Sequence, residues 1–324
     1  MPRDSSTSAG FTLIELSIVL VIIGLIVGGV LLGQDLIRAA EVRATISQIE
    51  KFNLAVNTFR GKYGALPGDM PPVTASQFNF KARGTGAYPG EGDGNGVIEG
   101  NWNGISFNGN GAGQGIVESA GETAMFWSDL TYANGMNLGL IEGNFNLATN
   151  DGSVIPTGGS NLNLWFPQAK LGKGNYIYVW SGGMSNQPAG DVNNGINYYG
   201  ISMISYINNG LLFDMPGLTV AQAYSMDSKM DDGLPQSGRV QAFHVNENGT
   251  VWAAGGNPIN SIPNVGDYDS ASGYLPVTST GDIGNGMAAG PLSCYDGSAG
   301  LPEKYSMQIN SGAGVNCALS FQFQ

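Results

Sequence analysis

The sequence has 324 residues, enough for a sizeable core in one elongated domain or two small ones, so size does not restrict the fold class. Charged residues are only 12% of it and glycine reaches 51, which leaves the surface to Asn, Gly, Ser and Thr, as in a secreted, loop-rich protein. Its 13 basic residues stand against 25 acidic ones for a net charge of -12, with no basic run to follow a phosphate backbone, so direct nucleic-acid binding is disfavoured.

The chain opens on a short polar stretch, MPRDSSTSAG, and turns apolar at once. From Leu13 to Leu32, LIELSIVLVIIGLIVGGVLL is apolar apart from Glu15, Ser17 and its glycines, close to the ~20 residues that a bilayer-spanning helix needs. An ordinary secretory signal is cut behind its apolar stretch; here the polar leader lies ahead of it, and a cut after Gly10 keeps the helix. Glu15 is the exception inside the span. A carboxylate there costs up to ~3 kcal/mol on insertion scales, less near the interface, and marks a partner or a function unless it simply snorkels to the surface.

The helical pattern continues beyond the span. Val42, Ile46, Ile49, Phe52, Val56, Phe59 and Tyr63 recur at three- and four-residue spacing among charged neighbours, which makes one amphipathic face. Read from Phe11 to Tyr63, the helix is on the order of 80 Å long, one half spanning and the other packing on a globular head. Gly64 and Pro67 stop it. A coiled coil is the competing reading, weakened by the short repeat. Gly24, Gly28, Gly29 and Gly33 are the weak points of the apolar half, each costing about 1 kcal/mol against alanine.

Residues 69–118 are rich in Gly, Asn and Pro and read as a long irregular loop. Within it, EGDGNGVIE is similar to the first part of an EF-hand-type calcium loop. It offers Glu91, Asp93, Asn95, the Val97 carbonyl and Glu99 at alternating positions, completed by Glu118 or Glu122. The match is partial: Glu stands in first place, and Trp102 sits where a bidentate Glu belongs. A solvated Gly/Asn turn is the other reading. Ca2+ is the one cofactor expected on this basis, and nothing else in the chain requires one.

A helix is predicted from Ser119 to Tyr132 with Phe126, Trp127 and Leu130 inward, and a second from Leu218 to Met230 opened by a Thr219/Gln222 capping box. The second leads into Asp227, Lys229, Asp231 and Asp232, a solvated helix end or another calcium site. Strands are predicted at 175–180, 197–207, 239–245, 250–254, 304–309 and 317–323 from aromatic and β-branched content, with Asn246 to Gly249 as a hairpin turn. Cys294 and Cys317 close a short loop that an oxidising compartment turns into a disulfide worth roughly 3 kcal/mol; two buried thiols are the alternative. His244 lies mid-strand with no Ser or Cys nucleophile motif, and P-loop and dinucleotide fingerprints are absent, so no enzyme is expected. The fold class is α+β. A long N-terminal helix, half membrane-spanning and half amphipathic, packs on an antiparallel sheet head, with irregular loops at about 64–170 and strands at about 171–324.

The residues Gly10-Phe11-Thr12-Leu13-Ile14-Glu15-Leu16 resemble the class III signal of type IV pilins and type II secretion pseudopilins. The resemblance implies that residues 1–10 are a leader, that a prepilin peptidase cuts between Gly10 and Phe11, and that Phe11 is then N-methylated. It makes Glu15 the fifth residue of the mature chain and an assembly residue, with the α-ammonium of a neighbouring subunit's Phe11 as its partner. It further implies a structural filament subunit, pilus or secretion pseudopilus, whose partners are copies of itself, other pilins, the peptidase and an inner-membrane assembly platform. Such a protein sits in the bacterial inner membrane as a single span with a periplasmic head, and later in a filament in the periplasm or at the cell surface. Many major pilins carry a proline in this helix and this chain has none; its large head suits a minor or tip subunit. The competing class is a membrane-anchored recognition or adhesion module that binds a glycan or protein through its acidic head, which holds 7 basic and 20 acidic residues from Gly64 onward.

Overall fold

The computed structural model describes residues 12–84, 90–100, 121–133, 136–148, 158–159, 161–181, 195–208, 210–246, 249–253, 294–296, 304–307 and 310–323. Gly10, Phe11, Trp102 and Glu118 lie outside them. The chain divides into two compact units, Met1–Glu41 and Val42–Gln324.

Helix α1 (Leu13–Tyr63) contributes to both and runs for 51 residues through its glycines. In the first unit every Leu, Ile and Val from Leu13 to Ile37 is exposed. An 18-residue window reaches a mean hydropathy of 2.9 with none of it buried, so α1 is long and apolar enough to cross a membrane.

In the second unit the same helix buries a single stripe: Val42, Thr45, Ile49, Phe52, Ala55, Val56, Phe59 and Tyr63. Ile46 is only partly buried at its edge. The helix stops where Gly64 takes φ +73° and its N–H bonds back to the Arg60 carbonyl at 2.8 Å, a left-handed cap that glycine adopts without strain.

After α1 come α2 (Pro72–Gln77) and α3 (Glu122–Thr131), then the two-residue strands β1 (Tyr132–Ala133) and β2 (Met136–Asn137), paired with each other. The main sheet is built on β3 (Asn175–Ser181), β4 (Asn197–Asn208) and β5 (Leu211–Met215). Strand β6 (Leu218–Thr219) runs into α4 (Val220–Met230), whose Thr219 and Gln222 form the expected capping box. Then follow β7 (Val240–Gln241), β8 (Phe243–Asn246), β9 (Gly249–Trp252), β10 (Tyr295–Asp296), β11 (Lys304–Tyr305), β12 (Val315–Cys317) and β13 (Leu319–Gln322). The sheet order is β3-β4-β13-β7, antiparallel throughout. Strand β4 is its spine. One edge of β4 pairs with β3, and the other pairs with β13 along Tyr198–Ile201 and with β5 along Met203–Asn208. Gly200 faces Tyr178 across this ladder, and a Cβ there would lie 2.3 Å from the tyrosine ring, so the glycine makes room for the aromatic.

Phe52 joins the layers. Its ring lies 5.0 Å from Trp127 of α3 and 6.0 Å from Tyr199 of β4, and Tyr199 stacks on Phe323 at 4.2 Å. Three expectations need correction. All ten residues of α3 are buried, not one side of it; its two carboxylates, Glu122 and Asp129, accept N–H groups from surrounding loops. The strand expected at 239–245 breaks at Ala242, whose N–H turns away to the Pro235 carbonyl. Of the strand expected at 304–309, the described residues pair in a ladder at Lys304–Tyr305, while Gln308 and Ile309 lie outside the described residues.

Candidate functional site

Three carboxylates from separate parts of the chain meet in the head. Asp69 follows the turn after α1, Asp93 lies in the glycine loop and Glu122 is the first residue of α3; one oxygen of each lies within 4.8 Å of the others. The loop wraps them with its own backbone. Gly94 and Gly96 donate N–H groups to the two Asp69 oxygens at 2.6 and 2.8 Å, while Gly92 and Glu99 donate to the two Glu122 oxygens at 2.9 and 2.8 Å. This path needs glycine: Gly92 and Gly94 both have φ +77°, and a Cβ would meet the Met70 carbonyl at 2.3 Å in the first case and the Pro71 ring at 2.8 Å in the second.

The expected ligands divide. Asp93 and Glu122 belong to the group, joined by Asp69, which the loop pattern did not point to. Asn95 braces the loop instead: its Oδ1 accepts the Val97 N–H at 2.7 Å and its Nδ2 donates to Asp93 at 3.0 Å. Val97 and Glu99 are buried, and Glu91 is half-buried outside the group. Burial pushes the Asp69 carboxyl up to about 7, with the Asp93 charge adding to it against the Gly96 and Gly94 N–H groups. Glu122, completely buried, is pushed well above the carboxylate range by the same cause and then by the Asp69 charge. Such a group is neutralised either by protons or by a hard cation.

A second group, Asp227, Asp231 and Asp232, closes the end of α4. The helix end is solvated only in part: Asp232 is exposed and Asp231 half-buried, whereas Asp227 is buried. Asp227 accepts from the Tyr305 hydroxyl at 2.8 Å and the Gly233 N–H at 3.0 Å; Asp232 accepts from Leu234 N–H at 2.8 Å and the Ser237 hydroxyl at 2.6 Å. Asp231 takes the N–H groups of Arg239 and Val240. One loop thus supplies donors to all three. Burial pushes Asp227 up to about 7.

At the other end of the chain, Thr12 and Glu15 form a reciprocal cap on α1. Glu15 donates its N–H to Thr12 Oγ1 at 3.2 Å, and its Oε2 accepts from the Thr12 N–H and hydroxyl, both at 2.8 Å. The carboxylate that the sequence singles out as awaiting an intermolecular partner therefore also has an intrachain role: it secures the first turn of the helix.

The model of the prokaryotic N-terminal methylation motif matches residues 5–31. That match covers the N-terminal segment alone and supports reading it as a type IV pilin-like class III signal. No curated protein and no solved structure matches the chain. Two further features of the head, a buried histidine–aspartate pair and a disulfide, are structural. His244 holds Asp214 with Nδ1 at 2.7 Å, and Asp214 also accepts from the Tyr178 hydroxyl at 3.2 Å, which ties β8, β5 and β3 together inside the core. His244 and Asp214 are both buried. Cys294 and Cys317 are joined as a disulfide, which fastens the start of β10 to the end of β12.

Proposed function

We propose that this chain is a structural subunit of a type IV pilus-like or type II secretion pseudopilus filament. It is cut after Gly10, methylated on Phe11, held in the inner membrane by α1 with its head in the periplasm, and assembled with copies of itself and other pilins. The carrying observation is the methylation motif at residues 5–31 running into a helix whose first half exposes every large apolar side chain. An anchor alone needs neither a glycine-phenylalanine junction nor a carboxylate in its first turn. The large head supports a minor or tip position. Mass spectrometry of the subunit's N-terminus in sheared filament fractions, alongside electron microscopy, tests the reading: methylated Phe11 is the expected start, and an intact leader in assembled protein overturns it.

The same reading gives the head a divalent cation. Asp69, Asp93 and Glu122 would hold Ca2+ through hard carboxylate oxygens, two of them on nearly inaccessible residues that carry no basic partner among their hydrogen bonds in the loop. Calcium then orders the 90–99 loop against α3. Melting of the full chain in detergent with Ca2+ and with chelator tests this: saturation by about 100 times the dissociation constant adds roughly 2.7 kcal/mol of stability. Identical melting in both overturns it.

A further inference from the structure

Beside the second half of α1 lies an elongated groove of about 700 Å³. One wall is the helix itself, from Ala44 through Ser47, Lys51 and Ala55 to Thr58; the facing wall is the segment Gly139–Glu142, with Lys170 at the lip. At 1.5 Å per residue, positions 44 to 58 make a trough ~21 Å long, the length of a helix of several turns. Small residues at Ala44, Ser47, Ala55 and Thr58 let another backbone approach closely. Leu54, on the same wall, is 68% exposed.

The lip is held in place in advance. Gln48 donates Nε2–H to the Gln168 carbonyl at 2.9 Å and accepts the Lys170 N–H on Oε1 at 2.9 Å, which pins the turn before β3 to α1. The lip alternates in sign: Glu142 lies between Lys51 at 3.9 Å and Lys170 at 3.5 Å. From Gly64 onward the chain holds 7 basic against 20 acidic residues, and one of the seven, Lys170, stands here with Lys51 of α1.

What fits such a trough is a helix with an apolar face and a carboxylate beside it. Among the described residues the long exposed apolar surface is α1 from Leu13 to Ile37. At its far end Leu32 and Leu36, 69% and 72% exposed, share a face with Asp35, and Arg38 follows one turn on with a weak 3.9 Å pairing to Asp35. Minus then plus on the helix answers the plus-minus-plus lip.

We infer that this groove receives the Leu32–Arg38 face of α1 from a second copy of the chain, with Leu32 and Leu36 against Leu54 and Leu140, and Asp35 taking over the exposed lip lysines Lys51 and Lys170 from their long pairings with Glu142. The inference rests on the filament reading and specifies one of its contacts. It goes further by assigning a receptor on the head side of α1 and by making charge the determinant of its register.

The experiment uses the full chain in cells that assemble it. Reversing both lip charges, Lys51→Glu with Lys170→Glu, is expected to cut sheared filament by about tenfold, Asp35→Lys to do the same, and the three together to restore most of it. As the native cysteines are bonded to each other, Leu32→Cys and Leu54→Cys carried on separate copies give an oxidised dimer that reports on this contact alone. Wild-type cells without filament overturn the filament reading. Filament unaffected by the lip reversal, loss not rescued by Asp35→Lys, or no Leu32–Leu54 dimer from assembled wild-type-like filament overturns the groove and leaves the filament reading standing.

Discussion

The two halves of α1 share one helix and treat apolar residues in opposite ways. Up to Ile37 they surround the helix and all face outward; from Val42 they narrow to a stripe that is buried. Helix propensity cannot account for this, since both halves are helical. The difference lies in period: an apolar surface on every side calls for an apolar surrounding, whereas a 3.6-residue stripe calls for a core on one side only. The contrast makes the halves separable, and mutations should sort cleanly between them.

The largest effect is expected in the stripe. Phe52→Ala removes the ring between Trp127 and Tyr199 and should cost about 3 to 5 kcal/mol of head stability by urea unfolding, with leader cleavage unchanged. If Leu20→Ala lowers head stability comparably, the two halves are not independent. Next comes pH. Asp227 has a folded value of about 7, above that of an unfolded aspartate, so its contribution is complete below the unfolded value and is lost as pH rises through 7. Between pH 5 and 8 the wild-type head should lose about 2 kcal/mol relative to Asp227→Asn; parallel pH profiles would remove Asp227 as the cause. Glu15→Ala belongs to the other half: cleaved as before, with head melting unaltered, it should assemble about tenfold less filament, an effect of about 1.4 kcal/mol. Normal filament yield would break the pairing of Glu15 with the Phe11 amine. Smallest is Thr219→Ala, about 1 kcal/mol for the lost cap on α4, measured by the same unfolding assay.

Local signals were the legible ones. The stripe of α1, the Thr219/Gln222 cap, the aromatic strands β3 and β4, and the hairpin between Asn246 and Gly249 all rest on spacings within a few residues. Strand β5 escaped notice because four of the five residues in Leu211–Met215 are buried in succession, which leaves no alternation to read. Asp69 and Glu122 come together only because the turn after α1 and the start of α3 share one glycine loop, and no sequence interval encodes that. The Thr12–Glu15 cap was within reach: the T-x-x-E spacing stood in the sequence, overshadowed by the apolar setting of the glutamate.

The place of β13 sets the order in which this molecule can be finished. Leu319–Gln322 lies between β4 and β7, so residues translated late occupy the interior of the sheet and not its rim. By then the apolar half of α1 has long been made. Until β13 arrives, Tyr198–Ile201 keeps an edge of unpaired N–H and C=O groups open to any passing strand. Pairing of β13 therefore completes the sheet, and a chain lacking Leu319–Gln322 leaves the Tyr198–Ile201 edge adhesive.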